Sequence, residues 1–564
     1  MRESSKYTIT AALPYANGPV HIGHLAGVYL PADIFARYMR KIGNEVLYVC
    51  GSDEHGVPIT LKAKKLGISP KQIIDKYHKI IKKSFDDFGI SFDVYSRTSN
   101  DEHHSTAQDF FLKLIEKELL VEKNTEEFYD VKEKIFLADR YIMGTCPVCS
   151  HEEAYGDQCE KCGTSLDPSE LINPTSAISG GKLTKKKTKH WYLPLGDYEV
   201  FLKDWIITKN KSFWKSNVVG QCKSWIESGL RDRAVTRDLE WGVKVPLKTK
   251  NNKVLYVWFD APIGYISATK SWAKERNKDW KKYWKSTETK LVHFIGKDNI
   301  VFHCIIFPSM LKAHGEFILP HNVPANEFLN LEGKKISTSK KWAVWLNEYL
   351  EDFPNKQDVM RYVLCTNSPE NKDNDFTWLD FQTKNNSELV AILGNFINRV
   401  FVLCHKYWDG KVPKINQVTS ADREVFDILK LTTNKINENI ENYKFRFAIQ
   451  KFMELARIGN KYLADTEPWK LFKNEDTKHR TETILHIAIQ ITAAISITSE
   501  PFMPFTSKKI KNMLNISNLK WEEAGKINII NENHKLNKPE LLFSKIEDKE
   551  IEEQVNKLKR NNNK

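Results

Sequence analysis

The sequence predicts an α/β protein built on a parallel sheet, interrupted by a small inserted domain and followed by a helical C-terminal region. Near the N-terminus, a β-branched stretch, a long helical pattern and an apolar stretch follow one another, as in a βαβ unit. Four cysteines in two closely spaced pairs lie within the interruption. From about residue 389 onward, apolar residues recur three or four positions apart, which is typical of helices.

The first βαβ unit occupies the start of the chain. Tyr7–Ala12 and Glu45–Cys50 are rich in β-branched and apolar residues and predict two strands. The helical pattern between them covers about Leu25–Lys41, and Pro31 inside it predicts a kink. Because parallel strands need a crossover of this kind, we expect both strands in one parallel sheet.

Two further strands, Lys253–Phe259 and Leu291–Ile295, are predicted much later in the chain. The sheet is therefore expected to be interrupted by an insertion that contains the cysteine pairs. The predicted regions are the first half of the sheet domain (1–116), the insertion (117–244), the second half (245–325), a mixed connecting region (326–388), a helical domain (389–550) and a charged tail (551–564).

One apolar stripe supports the prediction of the helical domain. Its members lie three or four positions apart: Phe445, Ala448, Phe452, Leu455, Gly459 and Tyr462. The tail is charged and ends in three asparagines and a lysine, which predicts a frayed helix or a disordered end.

Composition limits the class of protein. The 564 residues are enough for about three to five domains, and a net charge of +13 favours a polyanionic partner. The first residues lack the apolar core of a signal peptide, and Ile484–Ile497 is too short and too polar to cross a bilayer. Five scattered cysteines are typical of a reducing compartment. We therefore expect a cytoplasmic protein with no membrane partner.

The usual glycine-rich nucleotide motifs are absent. Neither GxGxxG nor GxxxxGK[ST] occurs in the sequence. If the chain binds ATP, it must do so with a different loop.

The first motif with chemical potential is Pro-Val-His-Ile-Gly-His, directly after the first strand. His21 and His24 lie three positions apart, so at a helix start both project to the same side. Gly23 allows a ligand close to the backbone. Two imidazoles at a helix N-terminus can donate hydrogen bonds to phosphate oxygens as charge develops. The alternative is a loop with two surface histidines.

The second motif is Gly-Lys-Lys-Ile-Ser-Thr-Ser-Lys, residues 333–340. Lysines and hydroxyl groups alternate after a glycine, so the loop can fold over phosphates and place lysine charges beside them. In isolation, a solvated basic loop is the better interpretation.

Together, the two motifs resemble the paired HIGH and KMSKS sequences of class I aminoacyl-tRNA synthetases. Other segments are similar to the methionyl-tRNA synthetase family: residues 12–18 (ALPYANG), 53–56 (DEHG), 258–265 (WFDAPIGY), 294–298 (FIGKD) and 467–469 (EPW). The resemblance extends from about residue 7 to about 550. It implies a class I Rossmann-like catalytic domain with an inserted zinc knuckle and a C-terminal helical anticodon-binding bundle.

The resemblance also implies a two-step reaction. ATP and L-methionine would give methionyl-adenylate, and the methionyl group would pass to initiator and elongator methionine tRNA, making the chain a methionine–tRNA ligase. Mg²⁺ would accompany ATP. The implied ATP-binding residues are His21, Gly23, His24, Lys335, Ser337, Thr338 and Ser339. The family loop usually has lysine where this chain has Thr338, so we expect Lys335 and Lys340 to share the phosphate contacts. The expected catalytic residues are therefore His21, His24, Lys335 and Lys340.

The cysteine pairs predict one structural zinc ion in a knuckle at residues 146–162. Two CxxC pairs this close provide four thiolates, Cys146, Cys149, Cys159 and Cys162, and a site with four protein ligands is closed to substrate. The alternative is four unliganded thiols. Some relatives carry a second knuckle, but this chain has Ser176 and Ser179 in the matching stretch, and hydroxyls bind zinc poorly.

The resemblance implies the remaining site residues. The methionine-binding positions are Leu13, Tyr15, Asp53, Arg237, Trp258, Ala261, Pro262, Tyr265 and His303, with Asp53 on the substrate ammonium and Arg237 near its carboxylate and ATP. Without the family match, the apolar members would be read as ordinary core. The positions that match readers of the CAU anticodon are Asn395, Arg399 and Trp469. The lysines at 185–187 and 189 either contact the tRNA acceptor end or belong to a solvated loop.

Rival assignments are weaker. By resemblance, leucyl, isoleucyl and valyl enzymes need a larger editing insertion than 117–244 can hold, and a cysteinyl enzyme would place its zinc in the amino-acid pocket. An RNA-binding relative without catalysis is supported only by Thr338. Many bacterial relatives add a dimerising C-terminal domain, and because this chain ends in the charged tail, we expect a monomer.

Overall fold

The computed structural model describes residues 4–137, 141–156, 159, 161–162, 164, 166–249, 252–338, 340–517 and 519–562. Its strands are β1 (Lys6–Ala11), β2 (Glu45–Ser52), β3 (Val94–Arg97), β4 (Val121–Asp130), β5 (Ile135–Phe136), β6 (Ile142–Thr145), β7 (Ala154–Tyr155), β8 (Ile172–Ser176), β9 (Leu183–Leu193), β10 (Arg233–Ala234), β11 (Thr236–Arg237), β12 (Val254–Leu255), β13 (Thr289–Gly296), β14 (Ala325–Asn326), β15 (Leu329–Leu331), β16 (Lys334–Lys335) and β17 (Asn374–Phe376).

The α-helices are α1 (Ile22–His24), α2 (Leu30–Lys41), α3 (Val57–Leu66), α4 (Pro70–Phe88), α5 (Asp101–Glu116), α6 (Glu199–Leu202), α7 (Ser216–Glu227), α8 (Val257–Glu275), α9 (Lys281–Trp284), α10 (Phe307–His314), α11 (Leu346–Asp352), α12 (Gln357–Thr366), α13 (Trp378–Thr383), α14 (Asn395–Trp408), α15 (Ser420–Glu441), α16 (Phe445–Thr466), α17 (Pro468–Leu471), α18 (Glu475–Thr498), α19 (Pro504–Leu514) and α20 (Asp548–Asn562). Among the described residues, π-helical segments join some of them at Leu25–Tyr29, Lys203–Lys209, Phe302–Ile306 and Lys384–Gly394.

The central sheet is parallel, as predicted. Its strand order is β14-β13-β1-β2-β3, and β1 lies in the middle with Ile9 beside Tyr48 on one side and Val292 on the other. The chain order changes direction between β1 and β13. In an open α/β sheet, the ligand crevice lies at such a point, at the carboxyl ends of the strands.

The helix after β1 starts earlier than predicted, and its hydrogen bonding changes just before Pro31. It begins with α1, continues through the π-helical segment Leu25–Tyr29 and ends with α2. The N–H of Leu30 donates to the carbonyl of Leu25, an i to i−5 bond. Because proline has no N–H, a widened turn just before Pro31 removes the clash that an unbroken α-helix would have there.

The predicted strand Lys253–Phe259 is wrong. Only Val254–Leu255 forms a strand, which pairs with β11 outside the central sheet, and helix α8 begins at Val257. The central sheet resumes only with β13, which confirms the predicted Leu291–Ile295. Since most of α8 is buried on all sides, its sequence lacks the amphipathic period that would have identified a helix.

The inserted region has two small sheets and its own apolar cluster. One sheet has the order β10-β9-β4-β5, and the other has the order β7-β6-β8. Leu137, Tyr141, Ile142 and Leu171 form a small core beside the cysteine pairs. The last third of the predicted insertion differs, because side chains of α6, α7 and the segment between them pack into the main core.

The C-terminal region is a helical bundle, as predicted. Two stretches, Trp378–Trp408 and Glu475–Thr498, are apolar and long enough to cross a membrane by composition and length alone. The second is 24 residues long, so the expectation that it is too short does not hold. However, 94% of its apolar window is buried inside the protein, as in the core helix of a soluble bundle.

The charged tail is an ordered helix through residue 562, which corrects the expectation of a frayed or disordered end. Helix α20 packs beside α11, where Leu558 is buried and the Lys557 ammonium lies 2.8 Å from carboxylate oxygens of both Glu348 and Asp352. The charges that suggested disorder therefore pair with another part of the chain.

Candidate active site, zinc knuckle and anticodon surface

His21 and His24 lie together at the start of α1, as the spacing predicted. Their rings stack with centroids 3.7 Å apart and planes 22° apart. Nδ1 of His21 accepts the N–H of Gly23, and Nδ1 of His24 accepts the N–H of His21, both at 3.1 Å. Because each Nδ1 is an acceptor, a neutral ring carries its proton on Nε2. Both Nε2–H groups are thus available as donors.

The environment keeps both rings neutral. Burial, followed by the neighbouring His24, holds the pKa of His21 well below its usual value, and burial lowers the pKa of His24 to about 4. Two neutral donors at a helix N-terminus can approach an anion without the cost of burying a charge.

The loop of the second motif lies against the first. β15 and β16 form a hairpin whose turn residues, Glu332 and Gly333, have φ of 49° and 72°, the positive values that a type I′ turn needs. A Cβ at Gly23 would lie 3.0 Å from the His21 ring and 3.1 Å from Cδ1 of Ile336. Glycine at position 23 therefore lets the loop close onto the histidines.

A short segment after the loop completes this junction. The N–H of Ile22 donates to the carbonyl of Val344 at 3.1 Å, and the N–H of Leu346 donates to the carbonyl of Val20 at 2.9 Å. The ring of Trp345 lies 5.8 Å from that of His21. Trp345 is a neighbour of the histidines that the sequence analysis did not identify.

The predicted loop residues surround a tight turn. Ser337 and Trp342 exchange backbone hydrogen bonds of 3.0 and 2.9 Å, and the N–H of Lys340 donates to Oγ of Ser337 at 3.3 Å. Lys335, Thr338 and Lys340 are exposed, so both lysine charges are accessible to an anion. Ser339 lies outside the described residues.

The predicted methionine-binding residues come mainly from the segments that follow the strands. Leu13 and Tyr15 follow β1, Asp53 follows β2 and His303 lies in the π-helical segment after β13. Trp258, Ala261, Pro262 and Tyr265 lie on α8 at helical spacing, so they share one face. Arg237 lies on β11, with its guanidinium 4.6 Å from the Tyr256 ring centre.

A polar contact links two of these predicted residues. The hydroxyl of Tyr265 lies 2.9 Å from Nε2 of His303, whose Nδ1 lies 3.1 Å from the carbonyl oxygen of Asn299. Since a carbonyl only accepts, Nδ1 of His303 is the donor, and its Nε2 accepts from Tyr265. Tyr265 and His303 are buried, Trp258 and Ala261 are half-buried, and Tyr15 is 43% exposed.

Asp53 is suited to a cationic ligand. Its carboxyl group is buried and accepts the N–H of His55 at 3.3 Å. Burial, then the negative charges of Asp260 and Glu54, raise the pKa of Asp53 well above its usual value. A substrate ammonium would relieve this repulsion, so the site favours binding an amine.

The sequence analysis missed a buried cluster next to Asp53. Nδ1 of His55 lies 2.5 Å from Oδ2 of Asp260, and Nε2 of His103 lies 3.5 Å from the same oxygen. All three side chains are buried. The WFDAPIGY and DEHG segments were noted only for family resemblance, and nothing in their spacing indicated that Asp260 and His55 meet.

The cysteine geometry fits a zinc ion. Sγ of Cys146 lies 3.8 Å from Sγ of Cys162, and Sγ of Cys149 lies 3.6 Å from Sγ of Cys159. Four sulfurs at about 2.3 Å from zinc in a tetrahedron would be about 3.8 Å apart. The structure thus brings the four predicted ligands together, and a structural zinc ion fits between them.

The predicted anticodon residues also meet. Asn395 and Arg399 lie one turn apart on α14, and the Arg399 guanidinium lies 4.8 Å from the ring centre of Trp469, which is half-buried on α17. Asn395 is exposed. A cation, an aromatic face and an amide thus share one surface.

The lysines at 185–187 and 189 lie in strand β9, not in a loop. Lys186 pairs with Glu127 and Lys187 with Glu126 across the antiparallel ladder, and the Lys189 ammonium lies 2.7 Å from a carboxylate oxygen of Glu122. This alternation of charges weakens the proposal of an acceptor-end contact here.

Comparison with known proteins identifies the family of this chain. Residues 7–401 match the family described as tRNA synthetases class I (M), and residues 412–563 match the anticodon binding domain of methionyl tRNA ligase. Methionine–tRNA ligase of Christiangramia forsetii is 61% identical over 564 residues, which cover 99% of this chain and 81% of that relative. The Bacteroides fragilis (strain YCH46) enzyme is 60% identical over 551 residues, covering 98% and 80%.

A solved structure shows the same fold. Mycobacterium tuberculosis methionyl-tRNA synthetase bound by methionyl-adenylate matches with a TM-score of 0.79 at 22% identity, over 96% of this chain and 100% of that one. The parallel sheet domain and helical C-terminal domain predicted from sequence are thereby confirmed.

Proposed function

Because this chain belongs to the methionyl-tRNA synthetase family and activates L-methionine with ATP for transfer to tRNA, we propose that the residues described above divide the two steps between them. The observation that carries this proposal is the stacked pair His21 and His24, with the lysine loop packed onto Gly23. Two neutral donors lie there, and the loop packed against them carries two exposed lysines.

In the first step, a methionine carboxylate oxygen attacks the α-phosphorus of ATP, and the bond to pyrophosphate breaks. His21 and His24 donate from Nε2 to phosphate oxygens as negative charge develops, and the N-terminus of α1 adds its dipole. Lys335 and Lys340 bind the phosphates that leave as pyrophosphate. No side chain forms a covalent bond, so catalysis depends on positioning and charge stabilisation.

Methionine is held at both ends. Asp53 accepts hydrogen bonds from the ammonium group, and Arg237 faces the carboxylate. The thioether lies among Leu13, Tyr15, Trp258, Ala261, Pro262 and Tyr265, because a polarizable sulfur favours aromatic walls. His303, oriented by Asn299, and the Tyr265 hydroxyl close the polar end of the pocket.

In the second step, a hydroxyl of the terminal tRNA ribose attacks the methionyl carbonyl carbon, and AMP leaves. Asn395, Arg399 and Trp469 read the CAU anticodon by stacking and by hydrogen bonds to base edges. The Arg399–Trp469 contact supports this assignment, since it presents a pre-ordered platform to an unstacked base.

Two metal ions belong to the proposal. One zinc ion, bound by Cys146, Cys149, Cys159 and Cys162, stabilises the knuckle, whose apolar cluster packs against Leu61 of α3. Mg²⁺ accompanies ATP and supplies positive charge to its phosphates. We further propose that the 564-residue chain is a cytoplasmic monomer, which light scattering would contradict with a mass near twice 65.5 kDa.

Amino-acid-dependent ATP–pyrophosphate exchange without tRNA tests the proposal. Methionine should support exchange, whereas leucine, isoleucine and cysteine should not. His21→Asn and His24→Asn should each slow exchange about 100-fold or more, the usual loss for one transition-state donor, with little change in methionine binding. Exchange at the wild-type rate in both variants would refute the assigned roles.

A further inference from the structure

We infer that Asp260 is a positioning residue for methionine. It fixes the position of the ammonium-binding Asp53 relative to α8, the helix proposed to line the side-chain pocket. The inference rests on the proposed role of Asp53. Asp260 lies on α8 between Trp258 and Ala261, yet it does not share their face. It faces His55 and α5 instead.

The connection runs through His55. Its ring Nδ1 lies 2.5 Å from Oδ2 of Asp260, and since a carboxylate only accepts, the proton is on His55. The backbone N–H of the same residue donates to Oδ1 of Asp53 at 3.3 Å. His55 therefore contacts the pocket helix with its side chain and the ammonium-binding carboxylate with its backbone.

A second contact holds the same face of α8. Nδ1 of His103, on α5, lies 3.0 Å from Oγ of Ser267, two turns after Asp260. A Cβ at Gly264 would lie 3.1 Å from Cδ1 of Leu13 and 3.8 Å from the His103 ring, so the two helices are close there. One face of α8 is thus anchored while the opposite face receives the substrate.

Burial leaves the Asp260–His55 contact with few alternatives. Asp260, His55 and His103 are each at most 2% exposed, and Oδ1 of Asp260 and Nε2 of His103 have no hydrogen-bond partner among the described residues. Because few other groups can take the place of His55, loss of this contact leaves the buried Asp260 carboxylate uncompensated. Asp53 and α8 would then shift relative to each other.

The cluster could also hold a metal ion by composition, since His55, His103 and Asp260 offer three ligand atoms. However, two ligand atoms about 2.0–2.1 Å from a tetrahedral zinc ion are about 3.3 Å apart. The 2.5 Å between Nδ1 and Oδ2 is too short for both to bind one ion, and it is the distance of a direct hydrogen bond.

Asp260→Asn tests the inference by steady-state ATP–pyrophosphate exchange. The KM for methionine should rise about tenfold, while the KM for ATP should change less than about twofold, because only amino-acid placement is lost. His55→Asn, whose amide can donate from the position of Nδ1, should stay near wild type, whereas His55→Ala should resemble Asp260→Asn. Asp422→Asn is the control, because it removes an equally buried carboxylate in the helical domain.

A double-mutant cycle separates this inference from the proposed function. If Asp260 acts through Asp53, the effects of Asp53→Asn and Asp260→Asn on the methionine KM should be far from additive. Additive effects, equal rises in both KM values, or a second zinc equivalent lost in His103→Ala would overturn the inference. No effect of Asp53→Asn itself would instead refute the proposed ammonium site.

Discussion

Asp33 and Arg361 form an ion pair that is fully buried: Nη2 of Arg361 donates to Oδ2 of Asp33 at 2.7 Å, and neither side chain is exposed. Asp33 lies on α2, in the helix that starts at His21 and His24, the proposed catalytic histidines. The same guanidinium donates to the carbonyl oxygens of Phe502 and Pro501, beyond the end of α18, at 2.8 and 3.0 Å. One buried contact thus joins the helix of the candidate active site to the helical domain.

The pair predicts an acid-sensitive step in stability. Burial disfavours the charge of Asp33, but Arg37, Arg361 and hydrogen bonds from Ser91 outweigh it and lower the pKa of Asp33 to about 2. The pKa of an aspartate in the unfolded chain is near 3.9, so this difference contributes about 2.5 kcal/mol to the free energy of unfolding. The contribution is present above about pH 4 and is lost as the pH falls towards 2.

Calorimetry of Asp33→Asn would check this. At pH 7 the free energy of unfolding of the variant should be lower by about 3 kcal/mol or more, because the buried charge of Arg361 and the partly buried charge of Arg37 remain without the carboxylate. Between pH 4 and 2, its unfolding temperature should fall less steeply than that of the wild type. Parallel curves over this range would show that another group controls the acid response.

Lys340 is expected to act on ATP and not on methionine. Both Lys335 and Lys340 are exposed beside the turn that packs on Gly23, and Thr338 offers no charge. Lys340→Met should slow adenylate formation about tenfold or more and leave the methionine Kd unchanged, as measured by single-turnover kinetics and calorimetric titration. Lys341→Met, next to it in the turn, is the control. Unchanged kinetics in Lys340→Met would assign the phosphate contacts to Lys335 alone.

The two motifs were predictable because their residues are contiguous and their chemistry is local. Contacts between distant segments were not. The charged tail suggested disorder, because the partners of its charges are not nearby in the sequence. They are Glu348 and Asp352, about 200 positions away. The contact between Asp260 and His55 spans 205 positions and leaves no local pattern. Likewise, a helix buried all round, α8, gave no helical period to find.

One zinc equivalent per chain is expected by elemental analysis. The four sulfurs fit one tetrahedral ion. The hydroxyl of Ser176, where some relatives carry a second knuckle, is a poor zinc ligand. Cys159→Ser should lower the zinc content well below one equivalent and destabilise the knuckle, seen as faster proteolysis near residues 141–176. Cys404→Ser, a buried thiol in the helical domain, should keep its zinc. Two equivalents in the wild type would contradict the single site.

Gly459 should tolerate no side chain, although alanine normally favours a helix. A Cβ there would lie 2.4 Å from the Phe396 ring, where α16 crosses α14. Gly459→Ala is expected to lower the free energy of unfolding by about 1–3 kcal/mol through overpacking. A lower unfolding temperature would measure this loss. Gly220→Ala, in α7 with nothing within 4 Å, should instead stabilise by about 0.5–1 kcal/mol. Equal effects of the two would show that packing at Phe396 does not decide the outcome.

Trp469 should be needed for tRNA and not for adenylate formation. Its ring lies under the Arg399 guanidinium, so Trp469→Ala removes both a stacking surface and the partner that orders the arginine. Loss of one stacked base costs about 1–3 kcal/mol, so kcat/KM for tRNA should fall about 10–100-fold in aminoacylation assays, while tRNA-free exchange stays unchanged. Phe447→Ala removes another aromatic ring of the helical domain, 53% exposed, and should have little effect. A similar loss in both variants would point to general destabilisation of the bundle and not to anticodon reading.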